Sequence, residues 1–260
     1  MVALEFFYDQ TLARIIAILD LRRVTLGGLA GGPMQDDPLC DARIVASWQA
    51  NAGPWTRAVR NRDIDSRRLV TDQAIIDAVM SYAPHSLLDI GCGEGWLIRA
   101  LASSGMHLIG VDVVPELIES AQVAGGGEFQ VASYEDIASG KVRFLTDAVV
   151  CNFSLIGKAS VEATFAAVAS LLTPQGSFIV QTLHPLVAGG AHPYQDGWRE
   201  GSWNGFGKEF TNPAPWYFRT LGSWLEMYRK HGLRVLELRE PLHPATGVPA
   251  SAIFIADVMC

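Results

Sequence analysis

Asp89 is followed by three glycines at alternate positions, Gly91, Gly93 and Gly95, with Cys92 between the first two, and a second acid, Asp112, comes about twenty positions later. Alternating glycines between an apolar run and a helix leave backbone amides bare at the positive end of that helix. The chemistry such a turn suits is the binding of a nucleotide-like ligand laid against the backbone. An acid at the carboxyl end of the next strand is placed to accept hydrogen bonds from both hydroxyls of a ribose, with Val113 just after it.

Those residues need elements to position them. Ser86 to Ile90 is a short continuous apolar run, the mark of a buried parallel strand, and Trp96 to Ser103 reads as the helix after the turn. His107 to Asp112 is a second strand, and Pro115 lies in the first turn of the helix that follows. Glu128 to Ala132, Asp147 to Asn152 and Ser177 to Thr182 read as the third, fourth and fifth strands. A helix over Val161 to Leu172 and a turn at Thr173-Pro174-Gln175-Gly176 precede the fifth. A helix from Thr220 to Lys230 and strands over Leu233 to Leu238 and Ala252 to Val258 complete the pattern. Upstream, residues 71–82 place Ile75, Ile76, Val79 and Met80 on one helical stripe, stopped by Pro84. Strands alternating with helices predict an α/β fold around a doubly wound, mostly parallel sheet.

The spacing of the glycines discriminates between nucleotides. A dinucleotide fingerprint, G-x-G-x-x-G/A, requires a small residue where this chain has Trp96. The run from Asp89 to Gly95 instead resembles motif I of the class I S-adenosylmethionine-dependent methyltransferases, an acid followed by G-x-G-x-G, and the order of elements resembles that family from about Trp48 to Cys260. The resemblance implies a seven-stranded Rossmann-like sheet with an antiparallel edge, S-adenosylmethionine as cofactor, and methyl transfer to an oxygen or nitrogen of a small acceptor, aromatic or otherwise flat. Where the family often has an aspartate against adenine this chain has Ser133, so Ser133, Tyr134 and Glu135 would share that contact. Asn152 and Phe153 match the region that closes the cofactor pocket beside the methyl group. The [DN]-P-P-[YFW] run of amino-methylating DNA enzymes is absent from that place.

The acceptor side is expected from residues 183–216, a long insertion rich in glycine, proline and aromatic residues, which reads as a mobile lid. His184, just past the fifth strand, is the candidate general base, with His192 and Tyr194 as rivals; Trp55, Trp198 and Trp203 are further candidate acceptor contacts. A helix from Asp41 is expected to turn at Gly53-Pro54-Trp55. The arginines that follow, Arg57, Arg60, Arg62, Arg67 and Arg68, read either as a solvated face or, with Trp55, as a cap that pairs with a carboxylate such as the cofactor's methionine end.

A chain of 260 residues, 49% hydrophobic and 18% charged, suits one α/β core with additions. No apolar run approaches the ~18 residues of a membrane span. A net charge of −7 disfavours nucleic acid as a partner. Four dispersed cysteines without a C-x-x-C pair suggest neither a metal site nor a disulfide framework, and fit a reducing cytoplasm. Glu5 and Asp9 ahead of Leu12 to Leu19 argue against an export signal. Residues 1–26 read as an amphipathic helix within an N-terminal extension, 1–47, ahead of a catalytic domain, 48–260, acting as monomer or homodimer. Two competing readings are a nucleotide-dependent oxidoreductase or epimerase and a non-catalytic cofactor-binding regulatory domain.

Overall fold

A computed structural model describes residues 38–259. The helix expected over 1–26 and the glycine break after it lie outside these residues. Among the described residues seven strands form one sheet: β1 (Ser86–Ile90), β2 (His107–Asp112), β3 (Glu128–Val131), β4 (Thr146–Asn152), β5 (Leu172–Thr182), β8 (Leu233–Arg239) and β9 (Ala252–Val258), in the order β3-β2-β1-β4-β5-β9-β8. The first five are mutually parallel, while β9 is antiparallel to both β5 and β8. This is the doubly wound sheet that the sequence predicts. The strand order reverses between β1 and β4, so the carboxyl ends of those two strands flank the crevice where ligands of such sheets bind.

Helices α1 (Asp41–Arg60), α2 (Asp72–Met80), α3 (Trp96–Leu101), α4 (Pro115–Ala124), α5 (Tyr134–Ala138), α6 (Ala159–Val168), α7 (Pro185–Ala188) and α8 (Leu221–Lys230) cover the sheet. Strand alternation sends Leu88 and Ile90 to one face, with Phe165, Phe178, Trp224 and Phe254, and Leu87 to the other, with Ile75, Val79, Leu97 and Ile98. Both faces of the inner strands β1, β4 and β9 are buried, which is why these strands read as mostly apolar runs.

Two local expectations are corrected. The chain does not turn at Gly53-Pro54-Trp55: α1 runs through Pro54. Its buried stripe of Ile44, Ser47, Asn51, Ala52 and Ala58 continues on both sides of the proline, and Ala52 packs against Val114 and Leu117 at the start of α4. That burial offsets the ~3 kcal/mol that a proline costs inside a helix. The second correction concerns Thr173 to Gly176, which is not a turn before β5. The strand already begins at Leu172, and these residues bulge from it between the pairs Thr146 with Leu172 and Ala148 with Ser177. The preceding helix accordingly ends at Val168.

Residues 183–216 contain α7 and strand β6 (Gly197–Arg199), which pairs antiparallel with β7 (Trp216–Phe218) as a separate ribbon.

Candidate active site

The glycine turn joins β1 to α3, and its glycines have different duties. A Cβ at Gly91 would collide with Ser154 Cβ, and one at Gly95 would stand 2.8 Å from the Phe129 ring. Above Gly93 the nearest atom is Trp55 Nε1 at 3.8 Å, and its φ of +57° still demands a residue without a side chain. Gly93 is therefore the part of the turn that other elements leave uncovered. Asp112 holds it in shape: its Oδ2 accepts from Gly93 N–H and its Oδ1 from Val114 N–H, both at 2.9 Å. Burial pushes the Asp112 carboxyl above its ordinary range, and the two backbone donors pull against that.

Glu94, which the sequence reading passed over, is buried and accepts from Arg99 Nη2 at 2.7 and 2.6 Å and from Arg60 Nε at 2.9 Å. Its carboxylate thus ties the turn to α1 and α3 together. Of the five arginines, Arg60 has this role, Arg68 pairs with Asp65 on the surface, and Arg67 is the one beside the pocket residues. Arg67 lies in a π-helical turn, Arg67–Thr71, its guanidinium 4.6 Å from the centre of the Trp96 ring and 5.8 Å from that of Trp55. Its Nε donates to Asp72, and its buried Nη2 has no partner. Asp89 is buried with Oδ1 also unpartnered. Desolvation, followed by the charge of Asp112, pushes its pKa up to about 7 against the opposing pull of Arg67.

On the opposite wall, Ser133 caps α5 in a reciprocal box with Asp136, its Oγ accepting from Asp136 N–H at 3.0 Å. Tyr134 donates its hydroxyl to Ser154 O at 2.9 Å and leans over Gly91, whereas Glu135 is exposed. At the end of β4, Asn152 Oδ1 is buried without a partner, and Phe153 takes a φ of +53°, rare for an aromatic residue. Cys92 is buried beneath the turn, where desolvation pushes its thiol well up.

The carboxyl end of β5 carries further unspent polar atoms. Gln181 donates to Ser251 Oγ at 2.9 Å but leaves Oε1 bare, and His184 leaves Nδ1 bare. Residues 203–211 are anchored on α1. Asn51, fully buried on α1, donates to Thr211 O at 2.7 Å and accepts from Thr211 N–H at 2.8 Å, and Trp203 Nε1 donates to the same carbonyl. Trp203, Phe206 and Phe210 pack edge to face or tilted on one another, on Trp48 and, through Phe206, on Trp55, with ring centres 4.9–6.3 Å apart. Trp55 and Trp203 thus belong to one aromatic group. Trp198 instead packs on Tyr217, Tyr194 Oη accepts from Leu221 N–H at the start of α8, and His192 is exposed.

Comparison with known proteins agrees with this geometry. The family model for the methyltransferase domain matches residues 63–238, more than half of the chain. The ubiquinone biosynthesis O-methyltransferase of Xylella fastidiosa (strain M23) is 35% identical over 107 residues, 39% of this chain and 43% of that protein, so the match spans less than half the length of this relative. Among solved structures, 1,6-didemethyltoxoflavin-N1-methyltransferase of Burkholderia thailandensis superposes with a TM-score of 0.60 at 15% identity, covering 90% of this chain and 94% of that one. An S-adenosylmethionine-dependent methyltransferase from Mesorhizobium loti gives 0.53 at 20% identity, covering 69% and 95%. With the glycine turn at the switch point of a β3-β2-β1-β4-β5-β9-β8 sheet, these matches place the chain in the methyltransferase-domain family, with the class I S-adenosylmethionine-dependent methyltransferase fold.

Proposed function

We propose that the protein transfers a methyl group from S-adenosylmethionine to an oxygen or nitrogen of a small, flat acceptor. The observation that carries this reading is the uncovered backbone at Gly93, in the turn that follows Asp89 with its unspent carboxyl oxygen, with Trp55 above it and Arg67, whose Nη2 is unspent, beside that indole. A zwitterionic amino-acid end fits that pair of charges: the carboxylate toward Arg67, the ammonium toward Asp89. Asp112 still has a free lone pair on each oxygen for ribose hydroxyls, beside Val113. Ser133, Tyr134 and Glu135 form the adenine side, and Asn152 and Phe153 the side of the reacting methyl. Cys92, Gly91 and Gly95 shape the turn beneath.

The cofactor supplies an electrophilic methyl. The chain's own tasks are to align the acceptor and exclude water, and to remove a proton where the acceptor carries one. Trp55 and Trp203 offer flat surfaces for an aromatic acceptor. His184 is the base in this reading, because Tyr194 spends its hydroxyl on α8 and His192 stands in solvent. Two of the three proteins described above, the ubiquinone biosynthesis O-methyltransferase and the 1,6-didemethyltoxoflavin-N1-methyltransferase, are named for small-molecule chemistry, which supports a small-molecule acceptor. Among the described residues no helix is long and apolar enough to cross a membrane.

Calorimetric titration tests the reading. S-adenosylhomocysteine is expected to bind and NAD to give no heat; the reverse result would move the protein to the oxidoreductase class. Labelled S-adenosylmethionine with a panel of phenols and aromatic amines then identifies the acceptor.

A further inference from the structure

His184 is 2% exposed, yet only one of its ring nitrogens is engaged: Nε2 lies 2.7 Å from Glu240 Oε1, and Nδ1 is buried with no partner. A carboxylate can only accept, so the hydrogen of the neutral ring is on Nε2 and the Nδ1 lone pair is unspent. The ring had another use open to it. His184 is the N-cap residue of α7, where a side chain commonly accepts from the first helical N–H groups, but it makes no such bond. The N–H groups of Val187 and Ala188 go to the His184 carbonyl instead.

Glu240 reaches this ring from another part of the chain. The register pairs Thr182 with Ala252 and Ile253 with Arg239, so His184 and Glu240 follow the two strands that flank β9, at one end of the sheet. That end also holds the unpartnered Asn152 Oδ1 and Gln181 Oε1. A hairpin closes behind Glu240, bridged at Leu242 and Pro249, and it contributes one more titratable group, His243. His243 Nδ1 accepts from Ala245 N–H at 3.3 Å, which puts its hydrogen on Nε2 and leaves His184 as the ring with a free lone pair.

We infer that Glu240 is a positioning residue that fixes His184 in the Nε2–H tautomer and balances the charge it gains, so that Nδ1 removes the acceptor's proton. In the step, the acceptor's O–H or N–H bond breaks, the electron pair stays on the oxygen or nitrogen, and the proton goes to Nδ1. The resulting imidazolium is held by the Glu240 carboxylate until the proton leaves to solvent. The inference rests on the methyltransferase reading with His184 as its base.

Two measurements test it. The first needs no acceptor: a long-range ¹H–¹⁵N spectrum of the imidazoles near pH 8, assigned by comparison with His184→Asn, should show His184 with a protonated Nε2 and a bare Nδ1. The opposite tautomer overturns the proposal. The second is a double-mutant cycle on turnover. Glu240→Gln keeps an acceptor atom but loses the charge; it should lower kcat about 10- to 100-fold with KM for the acceptor and affinity for S-adenosylhomocysteine unchanged, and Glu240→Asp should restore part of the loss. In a His184→Asn background the same change should do nothing further. Unchanged turnover in Glu240→Gln, or an equal loss in both backgrounds, overturns the role of Glu240. Failure of the wild type to bind S-adenosylhomocysteine would instead sink the methyltransferase reading itself.

Discussion

Asp89 is a carboxyl whose pKa, pushed up to about 7 by burial, lies well above its unfolded value of 3.8. The folded protein therefore holds a proton that the unfolded chain has already lost across that interval. Stability from this group is fully present below about pH 4 and is lost as pH rises toward 7, by roughly 4 kcal/mol at the outer limit. Melting curves of wild type and Asp89→Asn between pH 4 and 7.5, without ligand, should converge at low pH and diverge upward, the asparagine variant becoming relatively more stable. Parallel curves would show that Asp89 is ionised throughout. The glycines separate in the same way. Gly91→Ala combines a disfavoured positive φ with a collision at Ser154 and should lower the melting temperature most. Gly93→Ala meets no atom closer than Trp55 at 3.8 Å, so it should cost only the ~1–2 kcal/mol of its φ while removing S-adenosylhomocysteine binding in a titration. Retained binding would move the ligand off the turn.

Among the elements, the segment 201–215 depends on one side chain. Asn51 on α1 grips both the N–H and the C=O of Thr211 at a separation of 160 residues, and the aromatic group of Trp48, Trp55, Trp203 and Phe206 packs beside that clamp. Asn51→Ala should cost about 1–3 kcal/mol and open residues 201–215 to limited proteolysis before the sheet unfolds; equal resistance to protease would mean the aromatic packing holds this segment unaided. Elements of this kind mark the boundary of what the sequence disclosed. The inner strands were legible because Leu87 to Ile90, Ala148 to Cys151 and Ala252 to Ala256 are mostly apolar runs bounded by polar residues or glycine, and the glycine turn because its spacing is itself the signal. The continuation of α1 through Pro54 was not legible, since proline is a local breaker and the burial that overrides it comes from α4. Asn51, Glu94 and Glu240 were missed for a related reason: nothing beside them in the chain distinguishes a solvated polar residue from one whose partner folds in from far away. Arg67 was visible only as one of five arginines until the π-turn and the two indoles set it apart.

At the scale of the whole molecule, β9 is unusual in position. It enters the sheet between β5 and β8, antiparallel to both, and Ala252 to Ala256 are wholly buried there. A chain truncated after Ser251 should therefore give no cooperative melt; a sharp transition would show that β1 to β5 fold as an independent unit. For a protein made from its amino end on a ribosome, this insertion sets a schedule. Until Ala252 to Val258 emerge, β5 presents an open, strongly apolar edge and β8 has nothing to pair with. The interval in which this nascent chain is exposed to aggregation thus extends until Ala252 to Val258 have emerged, and codons slow to decode near Ala252 would prolong it.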